Sequence, residues 1–242
     1  MTGLSIYNVI LLEFIPKENL AISLFGEHKM AIDVGRARDE TPGCQAVLHL
    51  NNAGAALMPQ PVLHAVVGHV QREALLGGYE AAEQAYAAVE HVYDAAATLL
   101  GCQRDEIAFV ENATRAWDMA FYAVPLGPGD RILTAMAEYA SNYLAFLQVA
   151  RKTGATIEVI PNDAHGQISI AALRQAIDER VKLIAITHVP TNSGLVNPAA
   201  AVGEVARQAS VLYLLDACQS VGQMPMNVEA LGALHQQHDT KE

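Results

Sequence analysis

From Asp105 to Leu234 the chain alternates short apolar runs with longer stretches whose apolar residues return every three or four positions. The runs Ile107–Val110, Arg131–Ala135, Thr156–Ile160, Leu183–Thr187 and Val211–Leu215 predict strands, and the segments 114–124, 140–153, 169–178 and 198–209 predict helices. Strands alternating with helices imply an α/β fold, a largely parallel sheet with helices on both faces. Upstream, residues 59–100 carry Ala, Leu, Val and Glu at helical spacing, with Gly77 and Gly78 breaking them into two helices. Residues 1–29 show neither period, and Met30 offers an alternative start. The expected organisation is an N-terminal extension over 1–29, an arm with helices over 30–104, an α/β domain over 105–234 and a tail over 235–242 that leaves the pattern.

Composition narrows the chemistry. With 242 residues, 52% hydrophobic and 17% charged, the chain can bury a sizeable core and does not read as disordered. Its net charge of −11 opposes long-range attraction to nucleic acid or an anionic membrane, so a small-molecule partner is expected and neither of those two. Cys44, Cys102 and Cys218 form no metal-ligand spacing and read as free thiols, so no metal is expected. Asn112-Ala113-Thr114 matches a glycosylation acceptor, but no signal-like segment precedes it, and the apolar stretch from Leu4 to Ile15 contains Glu13 and is too short to cross a bilayer. A cytoplasmic location is the expectation.

The glycine fingerprint of dinucleotide-binding folds, the phosphate loop of nucleotide triphosphatases and the serine-hydrolase elbow are all missing. What remains is a polar group after each of several strands. Glu111-Asn112-Ala113-Thr114-Arg115 opens a helix, where unpaired N–H groups and the Thr hydroxyl can cradle an anion, or where Thr114 can be an ordinary cap. Tyr139, in the stretch 137–142, brings a flat ring to the sheet edge and could equally pack in a loop. The loop 187–195, containing Thr191, is polar and could be a plain turn. Asp216 closes the run 211–215, and alone it could be a helix cap. Together, a phosphate cradle, a stacking ring, a polar loop and a strand-end acid are what pyridoxal 5'-phosphate requires, because an acid at its ring nitrogen keeps the ring able to accept carbanion electrons.

From about Leu48 to Leu234 the chain resembles the class V aminotransferases of fold-type I, which include cysteine desulfurases, selenocysteine lyases and isopenicillin N epimerase-like enzymes. The resemblance is carried by HLNNAGAALMPQPV (49–62), ENATRAW (111–117), AEYASN (137–142), THVPTNSGLVNP (187–198) and DACQSVGQMP (216–225). It implies a pyridoxal-phosphate enzyme acting on an amino acid or small amine, by transaminase, lyase, epimerase or desulfurase chemistry, as a homodimer. It further implies that Ala113 and Thr114 hold the phosphate, Tyr139 stacks on the ring, Asp216 pairs with the pyridine nitrogen, Gln219 bonds the ring hydroxyl oxygen and Thr191 borders the cofactor. Asn51, Asn52, Ala53, Gly54 and Ala55 would border the substrate. The desulfurases place a His where this chain has Tyr139 and an Asn where it has Thr191, and an imidazole exchanges protons near neutrality whereas a phenol does not. No cysteine stands in a convincing nucleophile loop.

The family's Schiff-base lysine follows the Asp-x-x-Gln strand by one further apolar strand and a turn. Lys17 and Lys29 precede the matching region, Lys152 sits in a predicted helix, and Lys182 opens a strand at the end opposite the site. Lys241 lies 25 residues past Asp216 (241 − 216), but His235–Thr240 is polar where a buried strand is needed. The expectation is therefore a fold-type I large domain without its C-terminal small domain and without the lysine. The alternatives are an inactive scaffold that acts only by binding or association, and an unrelated nucleotide-binding α/β domain.

Overall fold

A computed structural model describes residues 32–52 and 55–232. The chain divides into two compact units, Met1–Ala96 and Ala97–Glu242. The expected extension 1–29, the alternative start Met30, Ala53, Gly54 and the tail with Lys241 lie outside the described residues.

In the first unit, α1 (Val34–Asp39) begins where the Asp33 carboxylate accepts from Arg36 N at 3.0 Å. Helix α2 (Gln60–Leu76) ends at Gly77, whose φ of +93° is a conformation side chains resist, and α3 (Gly78–Leu100) starts at once. The break expected at Gly77 and Gly78 is present. Helix α3 buries the Ala81, Ala85 and Val92 stripe, while α2 buries no residue and leaves Val67, Val70 and Leu75 exposed.

The second unit holds α4 (Ala113–Tyr122), β1 (Arg131–Ala135), α5 (Ala140–Thr153), β2 (Thr156–Ile160), α6 (Ile170–Ala176), β3 (Val181–Thr187), α7 (Ala199–Ala209), β4 (Leu212–Asp216) and α8 (Val228–Leu231). The four strands are all parallel, in the order β2-β1-β3-β4. Successive strand residues face opposite ways, so the sheet builds two cores. Leu133, Ile184, Ile186 and Tyr213 pack with Leu173 of α6 and Val202, Val205 and Ala206 of α7. Ile132, Leu183, Ala185 and Leu214 pack with Trp117 and Phe121 of α4 and Phe146 and Val149 of α5. A sheet covered on both faces explains why its strands read as nearly continuous apolar runs.

Two local devices hold helices to this sheet. Gly154, with φ +79°, ends α5 in the left-handed conformation, and its N–H closes on Ala150 O. Gly203 on α7 lets α8 approach closely, since a Cβ there would overlap the Leu231 carbonyl. At the amino ends of the strands, the Arg131 guanidinium joins Glu158, Asp178 and the Ala176 carbonyl.

One expected strand is absent. Ile107–Val110 follows a 3-10 turn at Arg104–Glu106 and pairs with no strand among the described residues. Four apolar residues satisfy the strand pattern, but a strand exists only where a neighbour completes its backbone hydrogen bonds. Strand β3 also begins earlier than its apolar run, at Val181, and β4 includes Asp216 itself.

Candidate functional site

The chain leaves β1 for β2 on one side and returns to place β3 on the other. Such a reversal opens a crevice at the carboxyl ends of the strands, where ligands of open α/β sheets gather. Strands β1, β3 and β4 end there at Ala135, Thr187 and Asp216, with Thr187 directly opposite Asp216 in the parallel ladder.

Asp216 is half-buried and held at both oxygens. Its Oδ1 accepts from Cys218 N at 3.0 Å and its Oδ2 from Asn142 Nδ2 at 2.8 Å, while its carbonyl accepts from His188 N at 2.8 Å. Each carboxylate oxygen can accept more than one bond, so capacity remains for a ligand. Behind it stands Glu138, which sequence reading did not single out. Its Oε2 accepts from Thr134 Oγ1 and Thr187 N, each at 3.1 Å, and its Oε1 from Tyr139 N at 3.0 Å and from the Thr187 hydroxyl. Burial raises the Glu138 carboxyl above the usual carboxylate range, partly offset by the Thr187 hydroxyl and the other donors.

The loop after β3 is pinned by further buried polar residues. Asn197, 1% exposed, donates to Thr187 O at 2.8 Å and accepts from Ile168 N at 3.1 Å. His188 Nδ1 lies 3.0 Å from Ser220 Oγ, and the same hydroxyl lies 3.1 Å from Ala217 O. Burial lowers the His188 pKa, disfavouring the charged ring.

Helix α4 packs on α5 and β4. Asn112 caps it, accepting from Arg115 N at 2.9 Å, while Ala113 and Thr114 are exposed and their N–H groups, first in the helix, have no partner within it. Tyr139 precedes α5 with its side chain exposed, and its N–H is shared between Glu138 and Thr187 Oγ1. Thr191 is exposed in the turn after β3, and Gln219 is half-buried in the turn after Asp216. Asn51, Asn52 and Ala55 are exposed in the first unit, where Ala55 N donates to Asn51 O at 3.2 Å.

The structure thus ties Tyr139 to Asp216 through Glu138, Thr187 and Asn142, three residues beyond the expected set. A signal for Glu138 and Asn142 did exist in the sequence: two polar residues one helical turn apart, immediately after a buried strand. Cys218 is exposed as a residue, yet desolvation of its sulfur, reinforced by the adjoining Asp216 carboxylate, pushes the thiol up to about 12. It is not an ionised nucleophile at neutral pH. Among the described residues no cluster of His, Cys, Asp or Glu suits a metal, and no helix is long and apolar enough to cross a membrane.

Residues 48–235 match the family model of the class-V aminotransferases. The chain is 26% identical over 215 residues to a cysteine desulfurase of Haloferax volcanii, covering 86% of this chain and 50% of that one. The apo structure of a cysteine desulfurase from Thermococcus onnurineus superposes with a TM-score of 0.72 at 26% identity, over 83% of this chain and 51% of that one. The cysteine desulfurase CsdA of Escherichia coli gives 0.73 at 26% identity, over 82% and 52%. The chain spans about half the length of the relatives it matches.

Proposed function

The chain belongs to the class-V aminotransferase family, and from that premise we propose that it binds pyridoxal 5'-phosphate at the carboxyl ends of β1, β3 and β4, as the cofactor-binding domain of an enzyme acting on an amino acid or small amine. The observation that carries this reading is Asp216, an acid fixed through both oxygens at a strand end.

The donor set fits the group. Ala113 and Thr114 offer backbone N–H groups and a hydroxyl at the positive end of α4 to a phosphate dianion. Tyr139 offers an exposed aromatic face to the ring. Asp216 holds the proton on the pyridine nitrogen, Gln219 bonds the ring hydroxyl oxygen, and Thr191 borders the ring from the loop after β3. The cofactor, when bound, supplies an electron sink for bonds broken at the carbon bearing the amine. Tyr139 and Thr191, where desulfurases carry His and Asn, favour a reaction other than desulfuration. Asn51 to Ala55 are assigned to the substrate.

Lysine placement favours a second reading, a scaffold that binds without turning over. Lys152 lies in the last turn of α5, remote from the end that faces the crevice, and Lys182 opens β3, where its Nζ donates to Glu179 O at 3.0 Å. Titration of the full chain should therefore show one pyridoxal phosphate bound per chain, weakened about tenfold by Thr114→Ala through loss of a charge-assisted hydrogen bond. Borohydride should leave no adduct on Lys152 or Lys182. Wild-type affinity in Thr114→Ala would remove the phosphate assignment, and a stoichiometric adduct on Lys241 would favour the enzyme over the scaffold.

The homodimer is retained in the proposal because α2 and α3 expose Val67, Val70, Leu75, Tyr79 and Tyr86 in the first unit. Light scattering should report self-association. A stable monomer at every concentration would contradict it.

A further inference from the structure

Asp216 can serve a ring nitrogen only if its carboxylate plane is fixed before the ligand arrives, since a rotating acid must give up that freedom on binding. Cys218 N, a donor to Asp216, is its own neighbour two residues on, whereas Asn142 reaches it from another element. Asn142 is 2% exposed in the first turn of α5, and its Nδ2 donates to Asp216 Oδ2 at 2.8 Å and to Glu138 Oε1 at 3.4 Å. The nitrogen of the Asn142 amide has two protons, enough to donate to both acids.

Glu138 is anchored in turn by Thr187, through N–H and hydroxyl, and by Thr134 Oγ1. Thr187 is the ladder partner of Asp216. The contacts close a ring: Asp216 of β4 to Asn142 of α5, to Glu138 after β1, to Thr187 of β3, and across the ladder back to Asp216. Bringing two half-buried carboxylates against a buried amide costs desolvation that an apolar cluster would avoid. The fold carries that cost where three strand ends meet the acid.

We propose that Asn142, backed by Glu138, is a positioning residue that sets the orientation of the Asp216 carboxylate. For the ligand this rests on the pyridoxal-phosphate reading above; for the carboxylate itself it does not. The two are separable because Cys218 N–H, bonded to Asp216 Oδ1, reports the carboxylate's position without any ligand.

The test is amide hydrogen exchange on the cofactor-free full chain, paired with pyridoxal phosphate titration, for wild type, Asn142→Ala, Glu138→Gln, Asp216→Ala and the Asn142→Ala/Asp216→Ala double variant. Asn142→Ala should speed exchange at Cys218 by about tenfold while leaving Ile184, in the middle of β3, unchanged. Glu138→Gln should act in the same direction and less strongly. A merely structural role for Asn142 would speed both amides together, and that result, or an unchanged Cys218, would overturn the proposal. In the titration, Asn142→Ala should weaken binding by about fivefold to twentyfold in the wild-type background and by less than about twofold once Asp216 is gone. Effects that simply multiply would also overturn it. Selective release of Cys218 in a chain that does not bind pyridoxal phosphate would support the positioning role and refute the cofactor reading.

Discussion

Asp216→Ala should remove the proton from the ring nitrogen of bound pyridoxal phosphate while leaving its phosphate anchored at Thr114. In the proposed arrangement the two ends of the cofactor would rest on different elements, the nitrogen on β4 and the phosphate on α4, so the substitution would delete one contact without moving the other. Removing one partner of a hydrogen-bonded, desolvated charge pair costs roughly 2–5 kcal/mol, which corresponds to an affinity loss of roughly thirtyfold to a few thousandfold. It also leaves the Asn142 amide, 2% exposed, without its shorter acceptor. Nitrogen-15 NMR of labelled cofactor reads the proton directly, and phosphorus-31 NMR reads the phosphate. A pyridinium signal that survives in Asp216→Ala would contradict the assignment. Equal affinity losses in Asp216→Ala and Thr114→Ala, with both signals displaced, would contradict the division of roles.

Phe146→Ala should cost the second unit about 3–5 kcal/mol, the range for deleting a large buried aromatic that leaves a cavity. Phe146 is fully buried, with ring centroids 5.1 Å from Phe121, 6.1 Å from Trp117 and 6.0 Å from Tyr143. Trp117 and Phe121 belong to α4, Tyr143 and Phe146 to α5, so this cluster sets the helix proposed to hold the phosphate against the helix bearing Asn142. Urea unfolding should show a lower midpoint, and pyridoxal phosphate affinity should fall as well because both ends of the site shift. A loss below about 1 kcal/mol would show that the cluster can collapse around the gap and does not brace the site.

Much of the sheet could be read from local pattern because its signals are local. Arg131–Ala135 and Thr156–Ile160 are apolar runs preceded by Gly129-Asp130 and Gly154-Ala155, and their strand bounds are those the pattern predicts. Helix α5 likewise ends at Gly154, where the glycine demands it. Ile107–Val110 has an equally good local signal and forms no strand among the described residues, since pairing depends on a neighbour remote in sequence. The network at the site eluded local reading for the same reason. Thr187 lies 49 residues from Glu138, and Asp216 lies 74 from Asn142. Polar residues in loops read as surface until the fold buries them, so His188, Asn197 and Ser220 gave no sign of their burial, and the spacing of Glu138 and Asn142 did not reveal their distant partners. Tyr139, Asp216, Ala113 and Thr114 stood out because they follow apolar runs or open helices, positions where sequence alone marks the edge of the sheet.

A crystal structure of the full chain with pyridoxal 5'-phosphate tests the central claim most directly. The account predicts the ring nitrogen at about 2.7–2.9 Å from an Asp216 carboxylate oxygen, the phosphate on the N–H groups of Ala113 and Thr114, and the Tyr139 ring over the cofactor. A cofactor bound elsewhere on the chain, or one whose phosphate rather than nitrogen faces the carboxyl end of β4, would contradict it.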